Sequence, residues 1–323
     1  MWCAGEYYEP MKIFERTLLI ANPTAQSGAG AAAAFRAADI LRTALPAQSV
    51  ELILTQHKGH ARELVSECGN KYSCIVALGG DGIVHEVANG MMQPGCKCRT
   101  LGVLPVGSGN DYAKTLGMNE KDLDKAVIQL LGGKTVSADL GCCNGEYFTE
   151  TLSFGLDAAI ALGTEQRRLK SGKKGTRLYL EEGIDQLFHH LDFHEFSLEI
   201  AAGKDAGDSI RAGRAILVAV QVGPTYGGGF RICPEASIQD GQLDICVAHG
   251  PVSIPAATGI FLLAKNAMHT RFKRIEFLQG SQMHLSFAQR PPCQIDGEEF
   301  IADAYYISVA PQAIDVLVGK MPQ

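Results

Sequence analysis

Short apolar runs alternate with helical patterns over the first third of the chain. Thr17 to Ala21 (TLLIA) is a near-continuous apolar run of strand length, the mark of a strand covered on both faces. The polar loop Asn22 to Gly28 follows it, then an alanine-rich stretch from Ala29 to Leu45 that predicts a helix. Val50 to Leu54, Cys74 to Leu78 (CIVAL) and Thr100 to Leu104 repeat the strand signature, with a helical pattern over His60 to Cys68 and another after Gly82. Strands alternating with helices predict a parallel sheet joined by right-handed crossovers. Ligands bind at the loops after the carboxyl ends of such strands.

Beyond about Leu140 the pattern changes. Phe196 to Ile200, Ala215 to Val222, Leu243 to Ala248, Met283 to Phe287 and Tyr305 to Val309 read as strands separated by Gly/Pro turns. Helical interruptions are expected near Leu178 to Leu191 and Ile260 to Met268. The fold class is therefore α/β in two domains: an N-terminal Rossmann-like parallel sheet with helices, and a C-terminal antiparallel β-rich (sandwich) domain. The boundary is expected near Gly132 to Gly141, giving domains over 12–138 and 139–323, with a return of the C-terminal end to the first domain left open.

The 323 residues suit two domains of ordinary size, and 46% hydrophobic with 20% charged content is that of a globular protein. A net charge of -6 provides no basic field for nucleic acid, so any anion site must be built locally. One basic run stands out, Arg167 to Arg177 (RRLKSGKKGTR), read either as a solvated helix face or as a contact for an anionic lipid surface. The ten cysteines include CxC and CC pairs but no CxxC, so the reading is reduced thiols in a cytosolic chain rather than zinc. The N-terminal MWCAGEYYEPMKIFERT lacks the apolar core of a signal peptide and reads as a short extension. Ile254 to Ala264 is apolar but too short, and broken by Pro255 and Gly259, to span a bilayer.

Three glycine-rich loops follow three strands of the first domain: Asn22-Pro-Thr-Ala-Gln-Ser-Gly28, Gly79-Gly-Asp-Gly82 and Gly107-Ser-Gly-Asn110. Glycine lets the backbone approach phosphate oxygens, and a helix N-terminus adds free N–H donors. Asp81 among these glycines calls for a cation or a donor beside it, which points to a metal–nucleotide site. The P-loop and GxGxxG signatures are absent, and GSGN lacks the GxSxG elbow of a serine hydrolase.

The segments IANPTAQSG, VALGGDGIVHEVANG, LGVLPVGSGNDYAKTLG, GGGFRICPEASIQDGQLDI and QIDGEE occur in this order over nearly the whole chain. In that order they resemble the diacylglycerol kinase-like lipid kinases, specifically their compact bacterial members. The resemblance implies a nucleotide-binding first domain and a lipid-substrate second domain. It implies that ATP is contacted by Asn22, Pro23, Thr24, Ser27 and Gly28, by Thr55, by Gly79, Gly80, Asp81, Gly82, Ile83, Val84 and His85, and by Ser108, Gly109 and Asn110. Asp81 would help hold a catalytic Mg²⁺. Glu298 of the Asp296-Gly297-Glu298 turn would be the general base, with Asp296 beside it in the catalytic set. Asp240, with backbone carbonyls at Ser237 and Gln242, would hold a second, structural Mg²⁺. The implied substrate is a membrane-lipid hydroxyl, diacylglycerol first, with phosphatidylglycerol, undecaprenol-like alcohols and sphingoid bases as alternatives. The implied enzyme is cytoplasmic, touches the membrane peripherally and has no transmembrane segment; many relatives pair, so a homodimer is an open expectation.

The chain departs from the family at two places. Ile83 stands where many relatives have Thr, and His85 where bacterial members have Asn, so GGDGIVHEV looks closer to sphingosine kinases. From residue type alone, His85 and Glu86 read as packing groups. Two competing readings are a NAD kinase, which shares GGDG but would show a TPTGSTAY-like segment where this chain has PTYGGGFRICPEA, and a non-catalytic lipid-binding protein. Against the latter, Asp81, Asp240, Asp296 and Glu298 are all present.

Overall fold

A computed structural model describes residues 13–171, 176–207 and 210–320. Contacts divide the chain into two compact units, one holding the chain up to Ala138 together with the stretch from Gln312 onward, the other holding Asp139–Pro311. The mixed α/β class has parallel strands in the first unit and an antiparallel β-rich second unit.

In the first unit, strands β1 (Thr17–Ala21), β2 (Val50–Leu54), β3 (Cys74–Gly79) and β4 (Thr100–Pro105) lie parallel in the order β2-β1-β3-β4. The last residues of the chain extend this sheet, Asp315 pairing with Thr100 and Val316 with Leu101. Every residue of β1 and β3 is buried, as a sheet covered on both faces requires. The cover is helical: α1 (Ala25–Gly28), α2 (Gly30–Ala44), α3 (His60–Cys68), α4 (Asp81–Met91), α5 (Asp111–Thr115) and α6 (Leu123–Leu131). In α2 the buried Gly30, Ala34, Ala37, Ala38 and Leu41 recur at helical spacing and form its sheet-facing stripe. The helix expected over Ala29 to Leu45 is α2, and the expected loop before it, Asn22 to Gly28, additionally makes the short turn α1.

In the second unit the long strand β9 (Arg211–Gln221) is the spine. Its first half pairs with β8 (His194–Ala202), its second half with β7 (Thr151–Gly155), and its other edge with β10 (Leu243–His249), all antiparallel. β11 (Ile275–Gly280) pairs with β10, β12 (Gln282–Phe287) with β8, and the first part of β15 (Tyr305–Leu317) with β12. β13 (Cys293–Ile295) joins β7 and turns into β14 (Glu298–Glu299). The helices are α7 (Leu156–Ser171), α8 (Thr176–His189) and α9 (Ile254–Ala264). They pack on an apolar cluster that includes Leu187, Ile216, Phe230 and Ala257.

The structure moves one expected helix and adds another. α9 begins at Ile254 rather than Ile260, because Pro255 sits in the first turn, where no backbone donor is required. The two units divide at Ala138/Asp139, inside the expected Gly132 to Gly141 range, and the division lies within a continuous strand, β5 (Thr135–Cys143), which forms a hairpin with β6 (Glu146–Phe148). α7 has no counterpart among the expected elements. Among the described residues, nine cysteines are free. No helix among them is long and apolar enough to cross a membrane. The N-terminal extension up to residue 12 lies outside the described residues.

Gly30 provides a test of how the first loop is held. Glycine to alanine in a helix normally stabilises by about 0.5–1 kcal/mol, but a Cβ at Gly30 would lie 2.1 Å from the carbonyl oxygen of Asn22. Gly30→Ala is therefore expected to destabilise by roughly 1–3 kcal/mol, read as a lowered urea midpoint.

Candidate active site

The loops after β1, β3 and β4 converge at the carboxyl ends of their strands within the first unit. The Asn22 N–H donates to the Leu78 carbonyl at 3.1 Å, and the Asn22 side-chain oxygen accepts from the backbone and hydroxyl of Thr24 at 3.0 and 2.8 Å. Thr55 enters beside them, its N–H donating to Ala21 at 2.9 Å. The Val106 N–H donates to Gly79 at 2.8 Å, which binds the β4 loop to the β3 loop. Their backbones then nearly touch: a Cβ on Gly107 would lie 2.3 Å from the Gly80 Cα. Only glycine fits there. Asn110, in the left-handed region at φ 55°, closes the β4 loop, accepting from Gly107 N–H at 2.8 Å and donating back at 3.1 Å.

Asp81 opens α4 and faces the β4 loop. One carboxylate oxygen accepts from the Tyr112 N–H at 3.2 Å; the other lies where a Cβ on Gly109 would meet it at 2.8 Å. Lys114 reaches into the same loop, donating to the Gly109 carbonyl at 2.5 Å and to Asp111 at 3.1 Å. Burial alone would lower the Lys114 pKa, but Asp111, Glu120 and Asp81 together raise it, so it remains a cation beside the glycines. Residue types and spacing alone did not single out Asp111 and Lys114; their signal was a basic and an acidic residue one turn apart behind the GSGN loop.

Gly28 has positive φ (97°), Pro23 accepts from the Ala31 N–H at 3.2 Å, and Ser108 is half-buried in its loop. The side chain of Ser27 lies outside the described residues. Ile83, Val84 and His85 are 7%, 2% and 7% exposed, so their side chains are turned into the protein. Ile83 packs beneath Gly79, its methyl 2.8 Å from where a Cβ would stand. His85 accepts the Asn89 amide on its carbonyl at 3.0 Å. Both carboxylate oxygens of Glu86 accept from backbone N–H groups, Gly59 at 2.8 Å and Ala61 at 3.0 Å, at the start of α3.

In the second unit, Glu298 follows a two-residue hairpin. Ile295 pairs with Glu298, and Asp296 and Gly297 both have positive φ, 46° and 89°, the type I′ geometry for which Asp-Gly is favoured. The Asp296 carboxylate is committed to this turn. It accepts from the N–H groups of Thr149, Glu150 and Thr151 at 2.7, 3.0 and 3.0 Å and from the Thr149 hydroxyl at 3.2 Å. Asp296 therefore holds the turn, while Glu298 is the half-buried member of the pair. A buried chain of bonds holds the turn from its other side. The Gly297 N–H donates to Gln294 at 2.6 Å, Gln294 donates to the Ser153 hydroxyl at 2.7 Å, Ser153 donates to Asp157, and the Tyr179 hydroxyl donates to Asp157 at 2.6 Å. Burial pushes the Asp157 carboxyl up, and hydrogen bonds from Ser153, Tyr179, Tyr226 and Gln294 oppose the shift.

The Ser237–Gln242 loop is pinned separately. The Gly241 N–H donates to the fully buried Asp139 at 2.7 Å, the Gln242 N–H to Asp240 at 3.0 Å, and the Lys204 N–H to the Gln242 side chain at 3.0 Å. Nearby, one Asp244 oxygen is buried without a hydrogen-bond partner, and burial together with Asp240 pushes its carboxyl up to about 6. That orphaned oxygen fits a cation close by. Among the described residues no three His, Cys, Asp or Glu side chains gather at one point. A Mg²⁺ at Asp81 or Asp240 would draw its remaining ligands from backbone carbonyls, waters or phosphate oxygens, as Mg²⁺ commonly does.

Three residues of the basic run have acidic partners. Arg167 pairs with Glu182 and with Asp185 at 2.7 Å, Arg168 with Glu165, and Arg177 with Glu181 at 2.9 Å. The Lys170 side chain, Lys173 and Lys174 lie outside the described residues.

A parallel α/β unit with glycine loops around one acid, followed by a β-rich unit presenting an acidic hairpin turn, defines a two-unit phosphotransferase class. Residues 16–143 match the family described as diacylglycerol kinase catalytic domain, and residues 150–318 the family described as YegS C-terminal NAD kinase beta sandwich-like domain. The chain belongs to this diacylglycerol kinase-like lipid kinase family and is a lipid kinase by that membership. It is 28% identical over 265 residues, 81% of this chain and 82% of the other, to a Pseudomonas aeruginosa (strain UCBPP-PA14) protein named "Probable lipid kinase YegS-like". It is 25% identical over 228 residues, 71% of this chain and 72% of the other, to the Bacillus subtilis (strain 168) protein named "Diacylglycerol kinase". Its fold superposes on a crystal structure of a diacylglycerol kinase from Bacillus anthracis str. Sterne with TM-score 0.77 and 22% identity, covering 94% of this chain and 97% of that one.

The commitment of Asp296 to its turn is testable. Asp296→Asn places an amide against backbone donors and is expected to cost on the order of 2–4 kcal/mol in urea unfolding. Unchanged stability with reduced turnover would instead make Asp296 a reacting group.

Proposed function

We propose that this kinase transfers the γ-phosphate of ATP, with magnesium, to a hydroxyl of a membrane lipid, with diacylglycerol the first candidate and phosphatidic acid the product. The observation that carries the reading is the meeting of the three glycine loops at the strand ends, with Asp81 facing the loop after β4. We assign residues 12–138 to nucleotide binding and 139–323 to the lipid side, with the stretch from Gln312 packing in the first unit. One relative is named a diacylglycerol kinase, which supports the choice of lipid.

Phosphoryl transfer asks the protein for positioning and charge more than for covalent chemistry. In this reading Asn22, Thr24, Gly28 and Thr55 line one side of the phosphates. The backbone N–H groups of Gly82 and Ile83, in the first turn of α4, would meet the other side. Ser108, Gly109 and Asn110 close the third. Ile83 contributes its amide, so the loss of a threonine hydroxyl there costs the loop no backbone donor. Asp81 would hold Mg²⁺, which supplies charge neutralisation on the phosphates when bound. Glu298 takes the proton of the attacking hydroxyl. Asp240 with the carbonyls of Ser237 and Gln242 would hold a second Mg²⁺ that fastens its loop.

A cavity of about 280 Å³ lined by Leu156, Gln186, His190 and Pro292 lies below the usual ~300–1,000 Å³ of ligand pockets, and we assign it no lipid. The test is phosphate transfer from γ-labelled ATP to detergent-dispersed diacylglycerol and to a total lipid extract. Label in phosphatidic acid is expected, with Asp81→Asn and Glu298→Gln each lowering kcat by roughly 10²-fold or more at unchanged melting temperature. Label in no lipid contradicts the reading, and label in another lipid replaces diacylglycerol.

A further inference from the structure

α9 and the segment after it form an apolar, positively charged surface that the site described above does not use. α9 carries no charged residue over Ile254–Ala264, yet only Ala257 and Ala264 are buried. A helix that is apolar all round is normally enclosed by protein or lipid. Here Leu262 is 46% exposed, and Met268 and Phe272 are each 38% exposed. The inner side is firmly seated: Phe261 packs against α8 where Gly183 leaves room for its ring, and stacks on Phe230 at 5.2 Å. The outer side therefore belongs to a fixed platform.

Charge identifies the occupant. From Ile254 to Ile275 there is no acid, and Lys265, Arg271, Lys273 and Arg274 are all exposed, in a chain whose net charge is -6. A symmetric contact between two copies would set this patch against itself and bring like charges together. An anionic bilayer accepts both features, apolar side chains at the acyl boundary and cations at the headgroups. Eleven residues reach far short of the ~20 needed to span, so the segment lies in the interface plane.

We propose that α9 with residues 265–274 is the surface by which this protein docks on anionic lipid bilayers. The proposal deepens the lipid-kinase reading by naming the face that brings the enzyme to its substrate, and it rests on that reading for its purpose. It is tested without catalysis, by co-sedimentation of the full chain with phosphatidylcholine vesicles with and without phosphatidylglycerol, in the absence of ATP. Binding is expected to need phosphatidylglycerol and to weaken with salt. Lys265→Glu, Arg271→Glu and Lys273→Glu combined should lower partitioning by roughly 10²-fold. Leu262→Asp with Phe272→Asp should lower it at unchanged charge on the cations. Both variants should keep wild-type melting and wild-type turnover on detergent-dispersed lipid. Variants that bind vesicles like wild type overturn the proposal, as does a wild-type dimer, dissociated by either variant, that ignores vesicles. Vesicle binding lost in the variants while no lipid is ever phosphorylated would uphold the surface and sink the proposed function.

Discussion

The backbones of Gly80 and Gly107 run so close that the loop after β4 could not keep its path with a side chain at Gly107. This approach fixes the distance between the loops after β3 and β4, and it is imposed by the sheet beneath, where Gly79 and Pro105 are register partners. Because adjacent parallel strands lie only about 4.8 Å apart, loops leaving them side by side must shed side chains to bend toward a common ligand. The same crowding aims Asp81 across at the β4 loop, where Tyr112, Gly109 and Lys114 receive it. The result is a pair of closely apposed glycine loops with Asp81 and the Asp111–Lys114 pair beside them, the arrangement on which the proposed metal–nucleotide site rests.

The hairpin turn at Asp296–Gly297 applies a comparable constraint to the second unit. Two consecutive residues at positive φ are costly for anything but Asp-Gly and its like, and here the Asp carboxylate receives four donors from residues 149–151. From the opposite side the Gln294–Ser153–Asp157–Tyr179 bonds tie the turn to α7 and α8. The backbone of the turn is thereby fixed, and with it the point from which Glu298, the proposed proton acceptor, leaves the hairpin.

Much of this was legible in residue order. The apolar runs of β1 and β3 and the glycines behind them identified the parallel sheet and its ligand edge, because continuous burial and forced close approach leave a mark in composition. What stayed hidden depends on partners distant in sequence. Gly141 lies inside a strand because the ring of Phe148 occupies the space its side chain would need. α7 has no counterpart in the expected elements, and its Gly163 is explained only by Glu182, the acid that pairs with Arg167, which a Cβ there would approach to 2.2 Å. The basic run was visible as charge, while the acids that neutralise Arg167, Arg168 and Arg177 become visible only when the helices are packed. Asp296 and Glu298 look equivalent as a tripeptide and are separated only by their hydrogen bonds.

The proposed phosphate site depends on the Gly80–Gly107 contact, and equilibrium binding of MgATP to wild type and Gly107→Ala tests that dependence. A Cβ at residue 107 would stand 2.3 Å from one backbone atom of Gly80 and 3.0 Å from another, forcing the loops apart. Affinity is expected to fall by roughly tenfold or more in a protein that still melts cooperatively. Wild-type affinity in a folded Gly107→Ala protein would contradict it.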